Sequence, residues 1–234
     1  MYYDLSFILL IPAIIFSLIA STRVRSTFAS YGQVRNYRNL TGAQAARMML
    51  DANGLNDVAI EPIRGSLTDN YDPRVRTLHL SESVMNVPSV SAVSVACHEA
   101  GHALQHAYGY SPLAIRTAIV PLANFASRLT WILIFAGLIL MSAANRDMGG
   151  LGNSLFTAGV VAYLVVILFQ LLTLPVEFNA SSRALEQMET LGIVAGEEQK
   201  GAKKVLSAAA MTYVAAAAVS LLQLLRILMI RGRR

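Results

Sequence analysis

Residues 154–175 read SLFTAGVVAYLVVILFQLLTLP, a run without one charged side chain. A helix needs about 20 mostly apolar residues to cross the ~30 Å hydrocarbon core of a bilayer, and this stretch is long enough. The composition points the same way. Of 234 residues, 55% are hydrophobic and 14% charged, against roughly 25% charged in soluble domains. The mean hydropathy is +0.50. Lipid is the solvent for a large part of this chain.

Working back from that stretch, NRDMGGLGN reads as a short turn. Before it lies a second apolar stretch from about Thr117, with Asn124 and Arg128 in its first part and the uncharged LTWILIFAGLILMSAA in its second. Two spans joined by a turn predict a transmembrane hairpin over 117–175. A hairpin returns the chain to its starting side, so residues 176–206 share a compartment with residues 22–116. Further back, LSFILLIPAIIFSLIAS is uncharged and meets the minimum of ~17 residues for a span. The preceding MYYD lacks Lys and Arg, and basic residues follow (Arg23, Arg25, Arg35, Arg38). Residues 1–21 are therefore expected to be an uncleaved anchor rather than a signal peptide. The positive-inside rule then places residues from 22 onward in the cytoplasm. At the other end, residues 207–234 form an Ala-rich hydrophobic helix that includes Arg226 and ends RGRR. A full span there would put a basic tail outside, so an interfacial or buried segment stays open as the alternative.

The formal net charge is +5. The basic residues follow apolar runs and do not interleave with aromatics, which excludes a nucleic-acid module and fits juxtamembrane charge facing anionic lipid. One cysteine, Cys97, rules out an intramolecular disulfide and a Cys-rich zinc module; a small buried residue is expected there.

Residues 22–116 have soluble patterning. TGAQAARMMLDANGL predicts an amphipathic helix with Thr41 as N-cap and Gly54 as stop. DVAIEPI has strand character, and VRTLHLS alternates as a half-exposed strand does, with the turn-rich GSLTDNYDPR between them. After Pro88, SVSAVSVACHEAGHALQHAYG predicts one long helix starting near Ser89 or Ser91 and ending near Gly109.

On that helix His98 and His102 are four apart, so both imidazoles leave one face. Two neutral imidazoles so spaced can bind one Zn²⁺ at ~2.0–2.1 Å. Glu99 completes H-E-x-x-H and is placed as general base toward water activated by the metal. His106 continues the series, but about 12 Å of helix rise separates it from His98. The longer motif that recruits a third histidine would need Gly at Gln105 and His at Tyr108, and neither is present. His106 is left as a residue near the metal ligands, on the substrate rim or on the surface. For the third ligand Asp69, Asp72 and His79 are candidates, and Glu177 in LPVEFNASSRALEQM is the better one. The hairpin brings it to the side of His98, and a charge at a span's end needs a partner or water.

Together NLTGAQAARMMLDANGL, GSLTDNYDPR, LHLSESV, SVACHEAGHALQHA and PVEFNASSRAL resemble the YugP-like family of neutral zinc metallopeptidases of bacterial membranes, over nearly the whole chain. The layout is more distantly similar to HtpX-like and CAAX prenyl proteases. The resemblance implies one Zn²⁺ per chain on His98, His102 and Glu177, with Glu99 as catalytic base. In the HtpX-like pattern an aspartate four residues after the ligand glutamate orients a ligand histidine; here Ser181 stands in that place, a neutral hydroxyl, and Arg183 is a candidate for the same network. LHLS is similar to the edge strand along which such peptidases lay substrate. Tyr213, His106 and Tyr71 are unranked candidates for stabilising the transition state.

The expected fold is a mainly α membrane protein, a transmembrane helical bundle with a small α+β zincin-like peptidase domain. Its segments are an anchor (1–21), a peptidase domain (22–116), a hairpin (117–175), a helix with the third ligand (176–206) and the C-terminal helix (207–234). The expected function is a zinc endopeptidase of the bacterial inner (plasma) membrane, active site on the cytoplasmic face, with membrane-associated protein or peptide substrates. The alternative is a non-catalytic zinc-binding scaffold or adaptor. Oligomeric state is not legible in the sequence.

Overall fold

A computed structural model describes residues 5–142 and 146–232. After a short 3-10 turn at Leu5–Leu10, the elements are α1 (Ile11–Gly32), α2 (Gly42–Ala52), β1 (Ala59–Ile63), β2 (Asn70–Asp72), β3 (Thr77–Ser81), α3 (Glu82–Met85), α4 (Val90–Ala107), α5 (Ser111–Ser142), α6 (Arg146–Thr190) and α7 (Glu197–Gly232). Among the described residues, four helices are long and apolar enough to cross a membrane: those within Phe7–Gly32, Ser111–Ser142, Met148–Thr190 and Glu197–Arg231. The protein is a mainly α membrane protein with one small sheet.

The chain forms two compact units. One comprises residues 1–17, 115–173 and 213–234. Its core is a small cluster of Ile134, Phe156, Tyr163, Ile167 and Ile227, while Phe125, Ile132, Phe135, Ile139, Leu164 and Leu168 stay exposed. Large apolar side chains in such number outside a core suit lipid and not water. Close approach of α5 and α6 is set by glycine. A Cβ on Gly137 would stand 2.6 Å from the backbone of Phe156, and one on Gly152 would stand 2.7 Å from that of Met141. Of the stretch NRDMGGLGN, expected to be a turn, the residues from Arg146 onward are helical, and Asn145 lies outside the described residues. Gly152 serves helix contact, a common use of small residues between membrane helices.

The other unit comprises residues 18–114 and 174–212. Its core gathers Met49 and Leu50 of α2, Leu78 and Leu80 of β3, Val93, Ala96, Cys97 and Ala100 of α4, Ala184 and Met188 of α6, and Ala202 and Leu206 of α7. A capping box starts α2: the Thr41 hydroxyl accepts from the Gln44 N–H while the Gln44 side chain accepts from that of Thr41. Gly54, at φ 73°, turns the chain away after it. Ser89 caps α4 by accepting from the Ala92 N–H at 3.2 Å.

The sheet corrects one expectation. Its order is β1-β3-β2, with β1 parallel and β2 antiparallel to β3. LHLS therefore lies in the central strand, not an edge, and four of the five residues of β3 are buried. The alternation in VRTLHLS misled because within β3 itself only His79 keeps partial exposure. The antiparallel edge is β2, which packs against α4. A second difference concerns Pro175. It does not end the third span, because α6 runs through it to Thr190, so Glu177 lies inside a long helix and not at the start of a new one.

Candidate metal site

Three side chains converge between α4 and α6. His98, His102 and Glu177 offer ligand atoms that all lie within 4.8 Å of one another. His98 Nε2 is 3.2 Å and His102 Nε2 3.6 Å from Glu177 Oε2. Ligands ~2.0–2.2 Å from a tetrahedral ion stand about 3.3–3.6 Å apart, so these separations suit one zinc. The two rings meet edge to face with centroids 4.8 Å apart. The helices can come this close because position 101 is glycine: a Cβ there would lie 2.6 Å from the Ala180 carbonyl oxygen.

The surroundings hold each imidazole from behind. Ser181 lies four residues after Glu177, one turn along α6, and its Oγ is 3.2 Å from His98 Nδ1. His102 Nδ1 is 2.9 Å from Oε1 of Gln105, a fully buried side chain. Gln105 Nε2 in turn donates to the Val176 carbonyl at 2.8 Å and to Asn179 Oδ1 at 3.0 Å. Arg183 Nε also donates to Asn179 Oδ1, at 2.8 Å, and its guanidinium lies over the Tyr108 ring at 5.6 Å.

Donor and acceptor logic then fits the site to a cation. With Nδ1–H of His102 committed to a carbonyl oxygen, its Nε2 presents a lone pair to the Glu177 carboxylate. Two electron-rich atoms at that distance need something positive between them. Burial alone would pull the His102 pKa down, but the Glu177 contact and the nearby Glu99 and Glu177 charges outweigh it, and the pKa is raised. The carboxylates around His102 thus favour positive charge at its Nε2. Glu99 is 9% exposed, and burial raises its pKa against the pull of the two histidines. The buried Cys97 thiol is pushed up to about 12 by desolvation and stays neutral.

The other candidates fall elsewhere. His106 is exposed and outside the group of three; its Nδ1 pairs with the Tyr71 hydroxyl of β2 at 2.9 Å. Asp69 accepts from the Ser81 N–H and hydroxyl, Asp72 accepts from the Arg74 N–H, and His79 sits in β3 opposite Asn70 and Glu61. Tyr213 belongs to the other compact unit. Sequence reasoning missed Gln105 and Asn179. The spacing of three between His102 and Gln105 was the available signal, since it lets their side chains meet on one helix face.

Fold and site define a membrane protein of long apolar helices in which two histidines and one glutamate are positioned to hold a metal ion. Over residues 6–232 the chain matches the family described as "Putative neutral zinc metallopeptidase", and it belongs to that family. It is 49% identical over 222 residues to the protein named "Putative membrane protease YugP" of Bacillus subtilis (strain 168), covering 95% of this chain and 94% of that one. No solved structure matches it.

Proposed function

We propose that this protein is a zinc-dependent endopeptidase of the bacterial plasma membrane that cuts membrane-associated proteins. The observation that carries the reading is the convergence of His98, His102 and Glu177 beside the buried carboxyl of Glu99. When bound there, zinc supplies Lewis acidity, polarising a carbonyl and lowering the pKa of water to ~7. Glu99 then takes the proton of the attacking water on its carboxylate and delivers it to the leaving amine. Its raised pKa suits this work, because a more basic carboxylate accepts a proton more readily. Gln105 and Ser181 hold the two imidazoles.

The peptidase part comprises residues 22–116 and 176–206. An extended peptide can add as a further strand beside β2, the antiparallel edge strand of the sheet. The Tyr71–His106 pair stands beside that edge, one helical turn beyond His102. Burial raises the pKa of Tyr71, which keeps its hydroxyl protonated and able to donate to a peptide carbonyl. A cytoplasmic face for the site is supported by the charge at the ends of two apolar runs. Arg23 follows the run in α1, Lys200, Lys203 and Lys204 precede the run in α7, and the four line one cleft.

A zinc-binding scaffold is the weaker reading. Structural zinc sites close with four protein ligands, and among the described residues the group holds three. A scaffold also has no use for a buried carboxyl beside them. In detergent micelles, cleavage of an unfolded membrane protein is expected to stop when a chelator strips the metal and to return with added zinc. Cleavage that persists in the metal-free protein would overturn the peptidase mechanism.

A further inference from the structure

We propose that Arg183 is a positioning residue that acts on the metal site through Asn179 and Gln105, fixing which nitrogen of His102 faces the metal. The inference rests on the reading of His98, His102 and Glu177 as zinc ligands.

The argument follows the hydrogen bonds from the one member of the chain whose polarity is unambiguous. A guanidinium has only donors. Arg183 Nε points at one terminal atom of the Asn179 amide at 2.8 Å, so that atom must be the oxygen. The same oxygen receives the second bond, from Gln105 at 3.0 Å, so Gln105 must present its amino group there. The Val176 carbonyl, 2.8 Å from that amino group, demands the same orientation. Gln105 Oε1 is left facing His102 Nδ1 at 2.9 Å. A carbonyl oxygen accepts, so Nδ1 carries the hydrogen and Nε2 is free to bind metal. No amide in the series can flip without setting two acceptors or two donors face to face.

The two histidines differ in this respect. His98 Nδ1 meets the hydroxyl of Ser181, which can donate or accept and so imposes no tautomer by itself. His102 meets an amide whose orientation is locked from two directions. Gln105 is fully buried and His102 nearly so, where an amide turned the wrong way would cost the most. A partner behind a ligand histidine typically affects metal affinity 10–100-fold, about as much as carboxylates do in other sites. Here the partner is neutral, and the positive charge that orients it stands two side chains away.

Zinc affinity of the full-length protein, read by competition with a chromogenic chelator, tests this without any need for turnover. Gln105→Leu is expected to weaken binding by about 10–100-fold, and Arg183→Met by about tenfold. The double variant should bind no more weakly than Gln105→Leu alone, since the arginine has nothing left to act through. A nitrogen-15 spectrum of the zinc-loaded protein should show a hydrogen-bonded Nδ1–H on His102 that weakens or disappears in Gln105→Leu. Tyr108→Leu, which removes the ring beneath the guanidinium but leaves the relay, should bind zinc as the wild type does. Additive losses, or an equal loss in Tyr108→Leu and Arg183→Met, would overturn the relay and leave Arg183 as a packing residue. Should Gln105→Leu fail to fold, Arg183→Met against Tyr108→Leu decides alone. A failure of the ligand assignment looks different: zinc would then bind equally well to Glu177→Ala.

Discussion

Glu99→Gln should keep its zinc and lose its peptidase activity, with kcat down by about 10²–10⁴, the range for removing a positioned general base. Glutamine has nearly the same shape, so the packing of α4 is undisturbed, and position 99 is absent from the group of ligand atoms. What disappears is the atom that accepts a proton. In this site the loss should be nearly pure. Burial dominates the environment of Glu99, and its charge interacts with both histidines, so the neutral variant also removes a charge that is costly to bury. Folding stability is therefore expected to be unchanged or slightly raised while turnover collapses. Metal analysis and cleavage assays on the same preparation check both halves. Cleavage equal to that of the wild type would remove Glu99 from the mechanism, and loss of zinc would make it a ligand.

Glu177→Ala should have the opposite signature, losing the metal first and activity as a consequence. Glu177 is 3% exposed and its Oε2 faces both imidazoles. Its removal leaves two neutral nitrogens and no ligand anion to balance a dication in a buried pocket. The loss of zinc affinity should exceed the ~100-fold typical of residues behind a ligand. Glu177→Gln separates charge from shape, because its amide oxygen can still reach the metal but brings no charge; it should fall between the wild type and alanine. An alanine variant that binds zinc as tightly as the wild type would remove Glu177 from the ligand set. The residues considered at the sequence level in its place, Asp69, Asp72 and His79, are already engaged in turns or in the sheet.

The fold was readable where one local pattern decides it. The uncharged run from Ser154 and the cap at Thr41 depend only on nearby residues and stand where reading places them, and of Ser89 and Ser91, both open as the start of the next long helix, Ser89 is the cap. Strand order was not readable in the same way. LHLS has the composition of either an edge or a central strand, and only the arrival of β1 and β2 on its two sides makes it central. Glycine was similarly ambiguous, since Gly152 signals a turn by composition and serves a helix contact in space. Gln105 was passed over because a glutamine has no meaning until its partners are known, and two of them, Val176 and Asn179, lie on another helix.

By itself the sequence determined the membrane class and the helix face that carries His98 and His102, because both follow from the fixed rise and period of one helix. Only the tertiary structure decided how Glu177 meets those histidines and what stands behind them. Hydrogen bonds and metal ligation act over a few ångströms, and residues on α4 and α6 reach that range only when the two helices pack together at Gly101.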